Sequence, residues 1–137
     1  MLQALIDSGI IVAFYNVNDK HHAKAVQFYD AFPGQLITTV GCVTEVMYLL
    51  WPDVKSQNVF MNHLVRRFYV CEHLHPEDFA RIAELNSQYA DLPGDFADLA
   101  LVSISERLNI AEIVTLDKDF DIYRRYRNQP FNRIFRP

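Results

Sequence analysis

Residues Asp95-Phe-Ala-Asp-Leu-Ala-Leu-Val-Ser-Ile-Ser-Glu-Arg-Leu108 spell an almost wholly apolar helix that opens on two carboxylates. Burial is expected for such a helix, and an ionised side chain in low dielectric is costly unless it is paired or holds a cation. A second acidic run, Ile113-Val-Thr-Leu-Asp-Lys-Asp-Phe120, sets Asp117 at the close of a short β-branched run that reads as a buried strand. Any fold for this chain has to bury both segments and account for their acids.

With 137 residues, half of them hydrophobic, the chain forms one compact domain over residues 1–137, and a second domain does not fit. The first residues lack a basic and apolar leader pattern, and no run approaches membrane-spanning length, so a soluble, cytoplasmic protein is expected. Cys42 and Cys71 lie far apart among apolar neighbours and read as buried free thiols. The net charge of −4 argues against a generic nucleic-acid binder. Its distribution is uneven: five arginines and no acid fall between Arg124 and Pro137, while acids dominate from Asp91 to Asp121.

In chain order, Leu2–Ile6 reads as a strand ending on Asp7, and Ser8 as the cap of a helix running to Tyr15. A helix over His21–Phe32 and a strand over Gln35–Thr39 follow, then a helix over Cys42–Trp51 with Glu45 in its first turn. Val54–Phe68 forms the next helix, with Val59, Phe60, Leu64 and Phe68 inward, then comes a strand over Tyr69–Leu74. Pro76 starts a helix to about Tyr89 whose apolar face includes Phe79, Ile82, Ala83 and Leu85. The loop Asp91-Leu-Pro-Gly94 delivers the chain to the helix opened by Asp95 and Asp98. After it come a strand over Ala111–Leu116, a short helix over Lys118–Tyr126 and a last short strand over Phe131–Phe135. The adjacent His21 and His22 point to different helix faces and read as a solvated helix start. This alternation predicts an α/β fold, a three-layer α/β/α sandwich with a central, mainly parallel sheet.

Right-handed crossovers put the ends of the first and fourth strands on one sheet edge, so Asp7 and Asp117 can meet. Asp98 and Glu45 lie in helices that begin near that edge, and four carboxylates can converge. Such a set repels itself unless something positive lies between. Oxygen ligands without histidine or thiolate suit Mg²⁺ or Mn²⁺ better than zinc. Phosphodiester hydrolysis is the natural chemistry of such an ion.

The pattern resembles the PIN domain family, in particular its VapC-type toxin ribonucleases, over essentially the whole chain. The resemblance rests on Leu5-Ile-Asp7-Ser, Thr44-Glu45-Val, Asp95-Phe-Ala-Asp98-Leu-Ala-Leu-Val and Thr115-Leu-Asp117-Lys-Asp119-Phe in this order and spacing. It implies a PIN-like fold and a metal-dependent endoribonuclease whose acidic site comprises Asp7, Glu45, Asp98 and Asp117. Asp7 and Asp98 are then the direct ligands of Mg²⁺ or Mn²⁺, with Glu45 and Asp117 completing the site directly or through water. Ser8 and Thr115 are implied as polar supports, with Asp95 and Asp119 as further supporting residues. Leu99 departs from the alanine common after the acid, a change that bears on helix packing.

The same resemblance implies the toxin of a type II toxin-antitoxin pair, a homodimer silenced by a protein antitoxin. Tyr48, Trp51, Phe60 and Met61 are large apolar residues on neighbouring helices, available to a partner or to the core. Arg124, Arg125 and Arg127 are candidates for holding RNA phosphates. A catalytically silent PIN-like module that binds RNA or protein is the alternative. An aspartyl-phosphate enzyme is disfavoured, because Asp7-Ser-Gly lacks the second acid such sites use and no strand-end lysine is available.

Overall fold

The computed structural model describes residues 2–92 and 94–137. Met1, and Pro93 in the loop before the acidic helix, lie outside the described residues. The elements run β1 (Gln3–Ile6), α1 (Ser8–Tyr15), α2 (His22–Ala31), β2 (Gln35–Thr39), α3 (Val40–Leu50), α4 (Val54–Val65), β3 (Tyr69–Glu72), α5 (Pro76–Gln88), α6 (Phe96–Leu108) and β4 (Glu112–Val114). Three two-residue strands close the chain: β5 (Arg124–Arg125), β6 (Gln129–Pro130) and β7 (Asn132–Arg133).

Five strands form one sheet in the order β3-β2-β1-β4-β7, and every pairing in it is parallel. The chain winds outward from β1 through β2 to β3, returns past β1 to β4, and ends at β7. The order therefore reverses between β1 and β4, the place where open α/β sheets gather ligands beyond their carboxyl ends. Register there is set by Leu5 beside Ile113 and Ile6 beside Val114.

The period-2 alternation of each strand separates two cores. Leu5, Ile37 and Ile113 face the side covered by α5, α6 and the carboxyl-terminal segment, where Ile82, Leu101, Ile104, Phe120, Tyr123 and Phe131 pack. Ala4, Ile6, Leu36 and Val114 face the side carrying Ile10, Ile11, Val46, Phe60 and Phe135. These are the three layers expected. Helix α6 is buried at every position from Ala97 to Ser105, as a helix apolar nearly all round must be. Its Ser103 hydroxyl donates to the buried Asp78 at 2.7 Å. Arg107 also donates to Asp78, at 3.1 Å, and pairs with Glu72, so α6 is pinned to α5 and to the end of β3. Burying Leu101 and Ile104 contributes about 1.5–3 kcal/mol each.

Several element ends differ from expectation for local reasons. Helix α1 is capped by Asp7, whose carboxylate accepts the Ser8 amide at 2.7 Å, and Ser8 is the first helical residue. Helix α3 starts at Val40 because the Thr39 hydroxyl accepts the Cys42 amide; Glu45 consequently lies in the second turn. Helix α4 stops at Val65. Arg67 takes a left-handed φ of 62°, the Arg67 amide donates to Leu64 and the Phe68 amide to His63, which together form a Schellman ending. Phe68 and Val59 are left exposed, where inward positions were expected. The strands expected over Tyr69–Leu74, Ala111–Leu116 and Phe131–Phe135 shorten to β3, β4 and β7. The helix expected over Lys118–Tyr126 is a 3-10 turn, Lys118–Asp121, followed by the antiparallel β5-β6 hairpin. There the Arg124 guanidinium takes the Asp121, Ile122 and Tyr123 carbonyls and Tyr123 turns into the core.

Among the apolar residues weighed for a partner surface, Phe60 is fully buried and Met61 half-buried, whereas Tyr48 and Trp51 stand 79% and 70% exposed. Cys42 is buried and Cys71 half-buried, both free. Among the described residues, no helix is long and apolar enough to cross a membrane.

Candidate metal centre

Each acid reaches the β1/β4 seam by a different local device. Asp7 follows β1, and its amide donates to the Val114 carbonyl, which ties it to the end of β4. Asp117 lies three residues beyond β4, in a turn held by its amide donating to the Thr115 hydroxyl at 2.9 Å. Asp98 occupies the first turn of α6, fixed because its own amide donates to the capping carboxylate of Asp95 at 2.9 Å. Glu45 comes from α3 and accepts the Ser8 hydroxyl at 2.9 Å. Together with Gly9 and Leu116 they line a cavity of about 290 Å³.

One carboxylate oxygen from each of Asp7, Asp98 and Asp117 can be chosen so that all three lie within 4.8 Å of one another. An octahedral Mg²⁺ with bonds of about 2.1 Å sets its ligand oxygens about 3.0 Å (cis) or about 4.2 Å (trans) apart, so the three carboxylates would draw closer together on binding it. Glu45 belongs to a second grouping, with Asp7 and the Cys42 thiol. Burial, followed by the Asp7 charge, pushes that thiol up to about 12, so Cys42 stays protonated and faces Asp7 across 4.0 Å as a weak donor.

No lysine, arginine or histidine pairs with any of the four acids among the described residues. Asp7 is buried, which raises its pKa, against the lowering effect of the Ser8 amide and the Thr115 hydroxyl. Burial, then the charges of Asp7, Asp95, Asp117 and Glu45, pushes Asp98 up to about 8. Burial and the neighbouring Asp95 push Glu45 up to about 7. Three converging oxygens without a cationic side chain are a donor set suited to a hard dication.

The other expected residues divide around this cavity. The Ser8 hydroxyl bridges Asp7 and Glu45, at 3.5 and 2.9 Å. The Thr115 hydroxyl donates to Asp7 at 3.0 Å while accepting the Asp117 amide, joining two of the acids through one atom. Asp95 lines the cavity. Asp119 does not; its amide donates to the Asp117 carboxylate at 2.9 Å.

The arginines expected at an RNA surface divide. Arg125 is buried, its guanidinium donating to the Ser105 hydroxyl and carbonyl and to Asn109, so it serves α6 and not a ligand. Arg124 is spent on the preceding turn, and Arg127 is exposed beside the Tyr126 ring. Basic residues gather elsewhere: Lys20, His21, Lys118, Arg133 and Arg136 line a pocket of about 480 Å³ that shares Leu116 with the acidic cavity, although the Arg133 guanidinium is already paired with Asp121 and donates to the Thr115 carbonyl. Lys20, His21 and Lys118 escaped the sequence reading because they come from segments distant in the chain. His22 turns away, its Nδ1 on the Ala13 carbonyl at 2.8 Å.

Comparison with known proteins gives a consistent result. A family model described as PIN domain matches residues 4–126. No curated protein matches the chain. Among solved structures, VapC20 from Mycobacterium tuberculosis, described as a sarcin-ricin loop cleaving toxin, superposes with a TM-score of 0.80 at 16% identity, over 87% of this chain and 93% of that one. A chain of a toxin-antitoxin complex from Klebsiella pneumoniae superposes with a TM-score of 0.67 at 19% identity, over 85% and 89% of the two chains. At these identities the likeness is one of fold.

Proposed function

The chain belongs to the PIN domain family, and from that premise we propose that it is a single-domain, metal-dependent endoribonuclease, the cytoplasmic toxin of a type II toxin-antitoxin pair. The observation that carries this reading is the convergence of Asp7, Asp98 and Asp117 without a compensating cation. Two structural neighbours, one named as a sarcin-ricin loop cleaving toxin and one as part of a toxin-antitoxin complex, support the RNA substrate and a protein antitoxin. The exposed Tyr48 and Trp51 offer apolar surface for a homodimer or that antitoxin.

In this reading Asp7, Asp98 and Asp117 hold Mg²⁺ or Mn²⁺, and Glu45 completes the site. When bound, the ion supplies an activated water and stabilises negative charge on the phosphate. The protein's own contribution is orientation and proton handling. The Ser8 amide and Thr115 hydroxyl fix both oxygens of Asp7, so this carboxylate is aimed before any ligand arrives. Glu45, which lines the cavity, is placed as a proton carrier between the attacking water and the leaving oxygen. Ser8 holds it to one position. The basic pocket beyond Leu116 receives the backbone phosphates on one side of the cut.

The purified chain is expected to cut a structured RNA in millimolar Mg²⁺ or Mn²⁺ and to stop when EDTA is added, as read on a sequencing gel. Equal cleavage in EDTA would refute the metal requirement. Thr115→Val keeps the volume but removes the hydroxyl shared by Asp7 and Asp117. It should lower cleavage or metal affinity by about 10–100-fold, the usual effect of losing a ligand's hydrogen-bond partner. Unchanged kcat and metal affinity in this variant would show that the hydroxyl does not orient the acids.

A further inference from the structure

Beside the acidic cavity lies a larger groove of about 540 Å³ that the proposed chemistry leaves unused. Glu45 and Asp95 line both spaces. The groove's apolar walls are Val40, Leu74, Phe79, Phe96 and Ala97. Phe79 and Phe96 are about half exposed, 53% and 48%, although each sits on a long helix with a buried face nearby. Their ring centroids are 6.3 Å apart and their planes 23° from parallel, an offset stacked pair at the groove. Phe96 is the first residue of α6, two positions before Asp98, which fixes the aromatic surface relative to the carboxylates.

Resting on the nuclease reading above, we infer that this groove is a nucleobase subsite: Phe79 and Phe96 stack an unpaired base on the nucleotide next to the bond that is cut. Four features favour a base as the occupant. The groove is continuous with the acidic cavity, so whatever fills it adjoins the reacting phosphate. Stacking on flat apolar rings accepts any base, since each has a π face. The rim carries three acids and one histidine: Glu45 and Asp95, without a cationic partner among the described residues, Glu72, already paired to Arg107, and His73. Such a rim repels a phosphate and accepts the amino groups of base edges. The basic pocket adjoins the cavity at Leu116 and shares no lining residue with the groove, which adjoins it at Glu45 and Asp95. The strand thus crosses from a basic pocket that takes phosphate, over the acids, to an aromatic groove that takes a base. A base in the duplex is stacked on its neighbours and cannot enter, which directs the enzyme to loops and single strands.

The test uses a single-stranded RNA that carries 2-aminopurine at successive positions around the cut, with a matched set carrying an abasic residue. Fluorescence titration with the full chain in EDTA gives Kd, and cleavage in Mg²⁺ or Mn²⁺ gives kcat and KM. Quenching is expected at one position adjoining the cut. Phe79→Ala and Phe96→Ala should each raise Kd and KM by about 5- to 100-fold with kcat much less affected. Phe96→Tyr should restore binding, and the alanine variants should lose nothing further on the RNA that is abasic at that position. Wild-type Kd and KM in both alanine variants, with native circular dichroism, would overturn the inference and leave the groove to a protein partner. If no RNA is cut but the quenching and its dependence on the two phenylalanines persist, the subsite stands and the nuclease reading fails. If RNA is cut and abasic substrate performs as well as intact, the subsite fails and the nuclease reading stands.

Discussion

Asp98→Asn should abolish cleavage, by on the order of a thousandfold or more, and at the same time make the metal-free protein harder to melt. The first effect follows from taking a charged oxygen out of the proposed metal site. The second follows from the same charge with the cation absent. Burial and four neighbouring carboxylates push Asp98 up to about 8, so at pH 8 the folded state tolerates its ionised form poorly. The amide removes that penalty while keeping the shape. With the residual hydration of the site, the penalty removed is about 2 kcal/mol, a rise in Tm of about 5–10 °C for a domain of this size. Cleavage assays and calorimetry in EDTA check the two halves separately. A variant that lost activity and also melted lower would place Asp98 among the structural acids, and one that kept activity would remove it from the site.

The second large effect is a reversal of pH dependence by metal. An unfolded Asp98 titrates near 3.8 and the folded one near 8, so between those values the native state holds a proton that the unfolded chain has released. The stability associated with that proton is fully present below the unfolded value. It is lost as pH rises through the folded one. Glu45, pushed up to about 7, acts in the same direction over a narrower window. Metal-free protein should therefore melt several degrees lower at pH 8 than at pH 5.5. Saturating Mg²⁺ or Mn²⁺ adds stability by mass action, about 2.7 kcal/mol at a hundredfold excess over Kd. Because protons compete for the same oxygens, the gain is larger at pH 8 than at pH 5.5. A metal-induced rise in Tm equal at the two pH values would contradict the assignment of these carboxylates as ligands.

The sheet was legible because its strands carry period-2 or fully buried apolar runs and its crossovers are long enough to be helices. From that alone, Asp7 and Asp117 fall on one edge, and the structure brings them together with Asp98. What escaped was set by contacts remote in sequence. Ser8 looks like a cap, but its hydroxyl is taken by Glu45, 37 residues away, and Asp7 caps instead. Arg125 looks like a phosphate ligand, but α6 leaves the Ser105 carbonyl and Asn109 for it to satisfy. Phe79 fits the apolar stripe of α5 by periodicity, yet its ring lies outside the core against Phe96. Helical spacing names a face; only the neighbour across from it decides whether that face is covered.

The seam between β1 and β4 has one more consequence. Asp7 follows the first strand, and Asp117 follows the strand that pairs beside it, which comes in the chain only after both outward crossovers and α6. During synthesis the charge cluster is therefore among the last features to assemble, and no amino-terminal fragment carries it. A growing chain therefore lacks the complete acidic site until Asp117 has emerged, so the order of the sheet delays the proposed activity to the end of synthesis.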